Sequence, residues 1–347
     1  MPDTLIPDPA PSTGVSPSTG VAPSPSAQRP PRRRRALKRV AIAATTICAL
    51  TLASATANAV MTSSEKSQLA PYGERVAVDG GDVNVLHIQG AGPTLVFLSG
   101  LGTSAPAVDF APLLRELDGY NLLVVEGFGY GYADTNVGDR TVENITSELH
   151  QALEALGVDT PVVLVGHSIA GLYMHYYADE YPGEVAGIVG IDPTPSKVAA
   201  VPNGTMPLGG IAAVARFTGI ERWAAKISPS LSEPDSTAYT QDERARIHAM
   251  GDWNFANASV ASEWSHVAAN TAKAGARPYP ANVPVLDFLS TDSVIHESNW
   301  LERHQQELKG VRNQRIEIIE GHHYLHWTQA PALGKEIKAF LSGNAAN

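Results

Sequence analysis

Between residues 72 and 341 the apolar positions fall into two recurring patterns. Residues 75–78 and 83–88 alternate apolar and polar on either side of Gly80-Gly81, which predicts a β-hairpin. Short, almost unbroken apolar runs follow at 94–98, 121–125, 162–165, 185–191, 283–289 and 315–319. Such runs are the form of strands buried on both faces. Helical spacing fills most of the gaps. Val142, Ile145, Leu149, Ala152, Leu153 and Leu156 share one helical face, and 107–117, 172–181, 300–309 and 332–341 are further helices. Strands alternating with helices predict an α/β fold, a mostly parallel eight-stranded sheet with helices on both faces. No internal repeat is present.

One interval breaks the rhythm. Residues 192–282 hold no convincing strand, and 211–227 and 242–274 are their better helical stretches. The interval is too long for a plain loop, so about 193–282 should form a helical cap inserted after the sixth strand.

The N-terminal 59 residues are of another kind. A stretch rich in Pro, Ser, Thr, Gly and Ala leads to an arginine block, a mildly apolar run over 40–55, and Ala57-Asn58-Ala59. The opening composition cannot bury enough apolar surface to order itself. Basic, apolar and small-x-small in that order make a secretory signal behind a long leader. Arg33-Arg34-Arg35-Ala36-Leu37-Lys38 also resembles a twin-arginine export signal. The competing reading is an uncleaved anchor, because 40–60 is just long enough to span a bilayer. That run is mostly Ala and Thr, which insert weakly, so cleavage is the favoured expectation. Residues 1–59 are then a disordered leader and signal peptide or signal anchor, and 60–347 one domain outside the cytoplasm. A membrane enters only through an uncleaved anchor.

Charge sharpens this division. The 347 residues carry 25 Lys and Arg against 35 Asp and Glu, a net charge of −10. The leader is basic, so the body is more acidic than the average, which argues against a nucleic-acid partner. The single cysteine, Cys48, lies in the export segment. It excludes a disulfide framework and multi-cysteine metal sites.

Candidate chemistry begins at Gly166-His167-Ser168-Ile169-Ala170-Gly171, directly after four aliphatic residues and before an apolar helix. A serine on a tight strand-to-helix turn projects its hydroxyl above the sheet and needs small neighbours. The blander alternative is a βα turn with an incidental serine. Such a nucleophile needs a base, and Glu320-Gly321-His322-His323-Tyr324-Leu325-His326-Trp327 offers three histidines after the last strand. A histidine metal cluster is the rival reading, but no H-E-x-x-H occurs and no cysteine is available.

With these motifs the chain resembles the α/β-hydrolase family. The resemblance covers about residues 72–341 and is weak through the cap. It implies an α/β-hydrolase fold with Ser168 as nucleophile on an elbow usually written G-x-S-x-G, here with Ala170 in place of glycine. The family's Gly-His-Phe/Tyr-Leu-His loop places His323 as base and His326 as its companion, with His322 in a small-residue position as the neighbouring candidate. The acid is expected at Asp292, after the strand that follows the cap. Asp192, after the strand before it, is the alternative. Ser99-Gly100-Leu101-Gly102 is similar to the family's His-Gly-x loop, which implies oxyanion donors at the Leu101 and Ile169 amides. No lysine follows these glycines and no G-x-G-x-x-G occurs, so the loop is no phosphate cradle.

Gly100, His167 and Trp327 are expected to line the substrate pocket, and Glu126 with its glycine-rich loop to be structural. Trp223, Trp253 and Trp264 either line an acyl or aromatic pocket or form the cap's small core. The resemblance implies a serine hydrolase that cleaves carboxylic esters of small or medium acyl chains through an acyl-enzyme, without cofactor or metal. Its partner would be a small-molecule ester or amide. A proline-iminopeptidase-like enzyme is the alternative and would require a cap carboxylate for a free amino terminus, with Glu221, Glu233 and Asp235 available. A catalytically silent binding protein of this fold is the alternative of another class. A dehalogenase is disfavoured because its nucleophile would be Asp where this chain has Ser168.

Overall fold

The computed structural model describes residue 20 and residues 32–197, 209–227 and 234–344. The expected disordered leader up to residue 31 thus lies, but for Gly20, outside the described residues, as do 198–208 of the expected cap and Glu233. The chain divides into two units, Met1–Leu50 and Thr51–Asn347. In the first, the described residues beyond Gly20 form the start of helix α1 (Arg32–Gln68), and the side chains of residues 33–50 are exposed. α1 runs unbroken through Ala57-Asn58-Ala59, and the stretch Arg33–Gln68 is long and apolar enough to cross a membrane.

The second unit is built on one eight-stranded sheet. Its strands are β1 (Glu74–Val78), β2 (Gly81–Ile88), β3 (Thr94–Leu98), β4 (Asn121–Glu126), β5 (Val162–His167), β6 (Val185–Ile191), β7 (Val285–Ser290) and β8 (Gln314–Ile319). Their order is β1-β2-β4-β3-β5-β6-β7-β8. β2 pairs antiparallel with β1 and β4, and every other pairing is parallel. This is the mostly parallel α/β sheet that the apolar runs predict.

Helices cover both faces. Before the cap come α2 (Pro106–Asp109), α3 (Ala111–Glu116), α4 (Val142–Ala155) and α5 (Ala170–Glu180). The helix expected at 107–117 is broken at Phe110, with Pro112 in the first turn of α3, where its missing N–H costs nothing. Alternation along the strands sorts the core. Leu95, Phe97, Val163 and Val165 pack toward Phe110, Leu113, Leu333 and Ile337, whereas Val96 and Leu164 pack toward Leu149, Leu153, Met174 and Tyr177. Each such fully buried large side chain contributes about 1.5–3 kcal/mol.

Among the described residues, four helices lie between β6 and β7: α6 (Gly209–Thr218), α7 (Ile220–Ile227), α8 (Gln241–Asn254) and α9 (Ala258–Gly275). Gly219, at φ 69°, separates the first two, where one helix was expected. Thr240 and Glu243 form a reciprocal capping box that starts α8, and the Asn257 side chain accepts from Val260 N–H to start α9. That second cap splits the expected 242–274 helix. After β7 come α10 (Thr291–His296) and α11 (Trp300–Glu307), then, beyond β8, α12 (Leu325–Thr328) and α13 (Ala330–Asn344). The turns that matter chemically follow β3, β5, β6 and β8, at the C-terminal ends of parallel strands, where open α/β sheets gather their sites.

Candidate active site

Ser168 sits between β5 and α5 at φ 55°, a left-handed backbone that few non-glycine residues adopt. The strain is held by neighbours. Ser168 N–H donates to Ile191 O (3.2 Å), while Ser168 O accepts from Gly171 N–H (3.0 Å) and Thr194 N–H (2.8 Å). Glycine at 166 is a steric requirement, because a Cβ there would lie 2.6 Å from Met174 Cε and 2.9 Å from Ala170 Cβ. Ala170 therefore fits where the family has glycine only because position 166 is empty of side chain.

His323 bridges Ser168 and an acid. Its Nδ1–H donates to Asp192 Oδ2 at 2.7 Å, and its Nε2 accepts from Ser168 Oγ at 2.9 Å. Asp192 is fully buried and also accepts from Ser290 N–H (3.1 Å), the Ser290 hydroxyl (3.0 Å), the Ser293 hydroxyl and Trp300 Nε1–H (3.2 Å). Burial alone would push this carboxyl up. The hydrogen bonds from His323 and Ser293 outweigh it and hold Asp192 below the ordinary carboxylate value.

Asp292, the expected acid, is not part of this chain of contacts. It lies in the first turn of α10, half exposed, and its Oδ2 accepts from His322 Nδ1–H at 3.0 Å. The register explains the correction. β7 ends at Ser290, whose side chain caps α10, so the following residues turn outward while Ser290 itself faces Asp192. His322 is likewise turned out to solvent, and Asp292 raises its pKa.

The turn after β3 lies against the elbow. A Cβ at Gly100 would come 2.7 Å from His167 Nδ1 and 3.3 Å from Ser168 Cβ, so only glycine fits. Among the described residues, neither the Leu101 nor the Ile169 amide donates to a protein acceptor. The next amide, Gly102 N–H, donates to Tyr130 Oη (3.2 Å), and Tyr130 in turn donates to Glu263 Oε2 (2.7 Å). Glu263 Oε1 accepts from Tyr173 on α5 (2.7 Å). One α9 carboxylate thus ties the turn after β3 to the helix that carries the elbow. Burial pushes Glu263 up, and the two tyrosine hydroxyls pull it back.

His167 is buried. Burial and the nearby His326 and His323 push its pKa well down, and as a neutral ring it donates from Nε2 to His323 O (3.2 Å), steadying the base loop. His326 Nε2–H and Trp327 Nε1–H both donate to Asp109, at 2.7 and 2.8 Å. Trp327 also stacks on Tyr324 with centroids 4.0 Å apart. A cavity of about 470 Å³ opens here, lined by Gly102, Thr103, Tyr324 and Trp327 and closed by Glu221 and Ala224 of α7 with Asp252 of α8. Trp223, Trp253 and Trp264 are not among its lining residues, and Trp253 packs into the small cluster formed with Met250 and Ala249.

Sequence reasoning missed the donors around Asp192 and the Glu263 hub. The second left a signal: Glu263 falls between Val260 and Val267 on the apolar stripe of α9, where a carboxylate needs internal partners. Among the described residues no cluster of His, Cys, Asp and Glu could hold a metal ion.

Comparison with known proteins agrees with this architecture. A family model described as alpha/beta hydrolase fold matches residues 93–330. An uncharacterized protein, YbdG, of Bacillus subtilis is 26% identical over 293 residues, 80% of this chain and 88% of that one. Lipase 1 of Psychrobacter immobilis is 27% identical over 114 residues, covering 33% of this chain and 35% of the lipase. Among solved structures, the epoxide hydrolase VrEH1 of Vigna radiata superposes with a TM-score of 0.61 at 15% identity, over 78% of this chain and 97% of that one. The family model spans more than half of the sequence, and the chain belongs to the alpha/beta hydrolase fold family.

Proposed function

We infer that this chain, a hydrolase by family, is a serine hydrolase that cleaves carboxylic esters of small or medium acyl chains through an acyl-enzyme. The observation that carries the reading is the unbroken relay from buried Asp192 through His323 to Ser168, with the serine on a strained turn. His323 Nε2 takes the Ser168 proton as Oγ attacks the ester carbonyl, and the Leu101 and Ile169 amides stabilise the resulting oxyanion. Asp192, kept ionised by its donors, stabilises the imidazolium. Collapse breaks the C–O bond, and the leaving alkoxide takes the proton from His323. Water then attacks the acyl-enzyme with the same base, releasing the acid and restoring Ser168.

Covalent labelling with a fluorophosphonate tests this directly. The native chain should take one label, and Ser168→Ala none. A native chain that stays unlabelled refutes the enzyme reading and leaves a binding protein.

A second reading, a serine aminopeptidase, is favoured by Glu221. Both of its carboxylate oxygens are buried beside the cavity with no hydrogen-bond partner among the described residues, and burial raises its pKa. A substrate ammonium would satisfy it. Under this reading amino-acid nitroanilides are cleaved and Glu221→Gln raises their KM; under the ester reading Glu221→Gln leaves nitrophenyl ester turnover unchanged.

A further inference from the structure

The cap carries an apolar face that its own core does not use. Ile211, Val214, Phe217, Ile220, Trp223 and Ile227 recur every three or four residues across α6 and α7, and are 45% to 86% exposed. Elsewhere beyond α1, Ile295 is the one large apolar side chain of the described residues that is more than half exposed. Isolated exposed apolar residues need no explanation, whereas six at this spacing on two successive helices do.

The same two helices are fastened to α1. Ser54 Oγ donates to Thr218 O (2.7 Å) and Asn58 Nδ2 to Arg216 O (3.1 Å). Arg222, only 3% exposed, donates to Asn58 Oδ1 and Thr62 Oγ1, each at 3.1 Å, and pairs with Glu65 and with Asp252. Residues 54, 58, 62 and 65 form one face of α1 by helical spacing. The fit is close: a Cβ on Gly219 would lie 2.6 Å from Asn58 Cγ. Ser54 and Asn58 stand within the apolar run 40–60, before the Ala57-Asn58-Ala59 site would release the domain.

We propose that the N-terminal helix is retained, and that the α6–α7 stripe is seated in the interface of a lipid bilayer beside it. Three observations select a bilayer as the occupant. The two helices that carry the stripe bond to residues 54–65, the C-terminal part of the chain's own membrane-length apolar helix. The stripe includes Trp223 with the Lys226 ammonium 5.0 Å above its ring, an amphipathic pair suited to the headgroup level. The polar face of α7 is turned inward, since Arg222 is bonded to α1 and Asp252 and Glu221 lines the cavity, so the apolar face is left for an outside medium.

The full chain with Cys48→Ala, carrying a single cysteine by Phe217→Cys, Ile220→Cys or Ile295→Cys, is nitroxide-labelled and reconstituted into phosphatidylcholine–phosphatidylglycerol vesicles. Collision of each label with oxygen, which partitions into lipid, is compared with a water-soluble nickel chelate. The proposal expects a several-fold higher oxygen-to-nickel ratio at 217 and 220 than at 295. It also expects the mass of the membrane-extracted native chain to include residues 40–59. Labels at 217 and 220 that behave like 295 overturn it. Labels shielded from both probes overturn it in favour of a second copy or another protein on this face. A mature chain beginning at Val60 overturns retention. None of these readouts depends on catalysis.

Discussion

Replacing Asp192 by Asn tests the relay at its most constrained point. Asp192 Oδ1 accepts two N–H groups, from Ser290 and Trp300, that can only donate. The amide must therefore place its oxygen there and its NH₂ where Oδ2 stood. The Ser290 and Ser293 hydroxyls at that position can rotate to accept. His323 Nδ1 can accept only by giving up its proton, which moves the ring proton to Nε2, the atom that must receive the Ser168 proton. The wrong tautomer costs a comparable serine triad ~10⁴-fold in kcat, which corresponds to about 5.4 kcal/mol. Stability should fall much less, by about 1–3 kcal/mol, since most donors keep a partner. Hydrolysis of a short nitrophenyl ester, paired with urea unfolding, separates the two effects. Asp292→Asn is the control and should stay within about twofold, under 0.5 kcal/mol. An Asp192→Asn chain that folds and loses less than about tenfold (1.4 kcal/mol) would refute the assignment. So would the reverse ranking of the two variants.

Two further outcomes follow from packing and from charge. Gly166→Ala should destabilise by about 1–3 kcal/mol through the clash with Met174 and Ala170, and adding Ala170→Gly should recover part of it, read as a non-additive double-mutant cycle in chemical unfolding. Glu307 on α11 is buried, and the His175 ring 3.5 Å away and hydrogen bonds from Ser196 together overcome burial to hold it below the ordinary value. A depressed carboxyl stabilises the fold above the unfolded pKa and loses that contribution as pH falls through the folded one. Glu307→Gln should therefore cost about 1–3 kcal/mol at neutral pH, and its urea midpoint should converge on the parent's as pH drops below the ordinary carboxylate range.

The parallel sheet was legible because strands buried on both faces write themselves as unbroken aliphatic runs, and the elbow because Ser168 and its small neighbours are contiguous. Ser168 and His323 come together as the motifs anticipated. The acid was not legible. Asp192 and Asp292 both follow strands, and what separates them is the outward turn that the Ser290 cap imposes at the start of α10, a local capping choice between near-equal alternatives. Helix breaks at Gly219 and at Asn257 were hidden for a similar reason: apolar spacing continues through them while the backbone does not. The Glu263 hub joins residues 133 and 90 positions apart, a distance that periodicity does not reach.

The Arg222 cluster has a consequence for how this protein changes over time. α9 is fixed to the hydrolase body, with Asn257 on Gly129 O (2.8 Å), Asn270 on Arg140 O (3.0 Å) and Arg277 on Asp179 (2.6 Å). α7, which walls the cavity with Glu221, Ala224 and Ala225, hangs instead on α1 and Asp252. On the proposed reading of the N-terminal helix as an anchor and of the cavity as a substrate pocket, attachment and substrate selection are inherited through one set of side chains. Across related genes, residues 54, 58, 62 and 65 should vary in step with 216–222 and independently of 257–277, so that a lineage altering its N-terminal helix alters its substrate range as well.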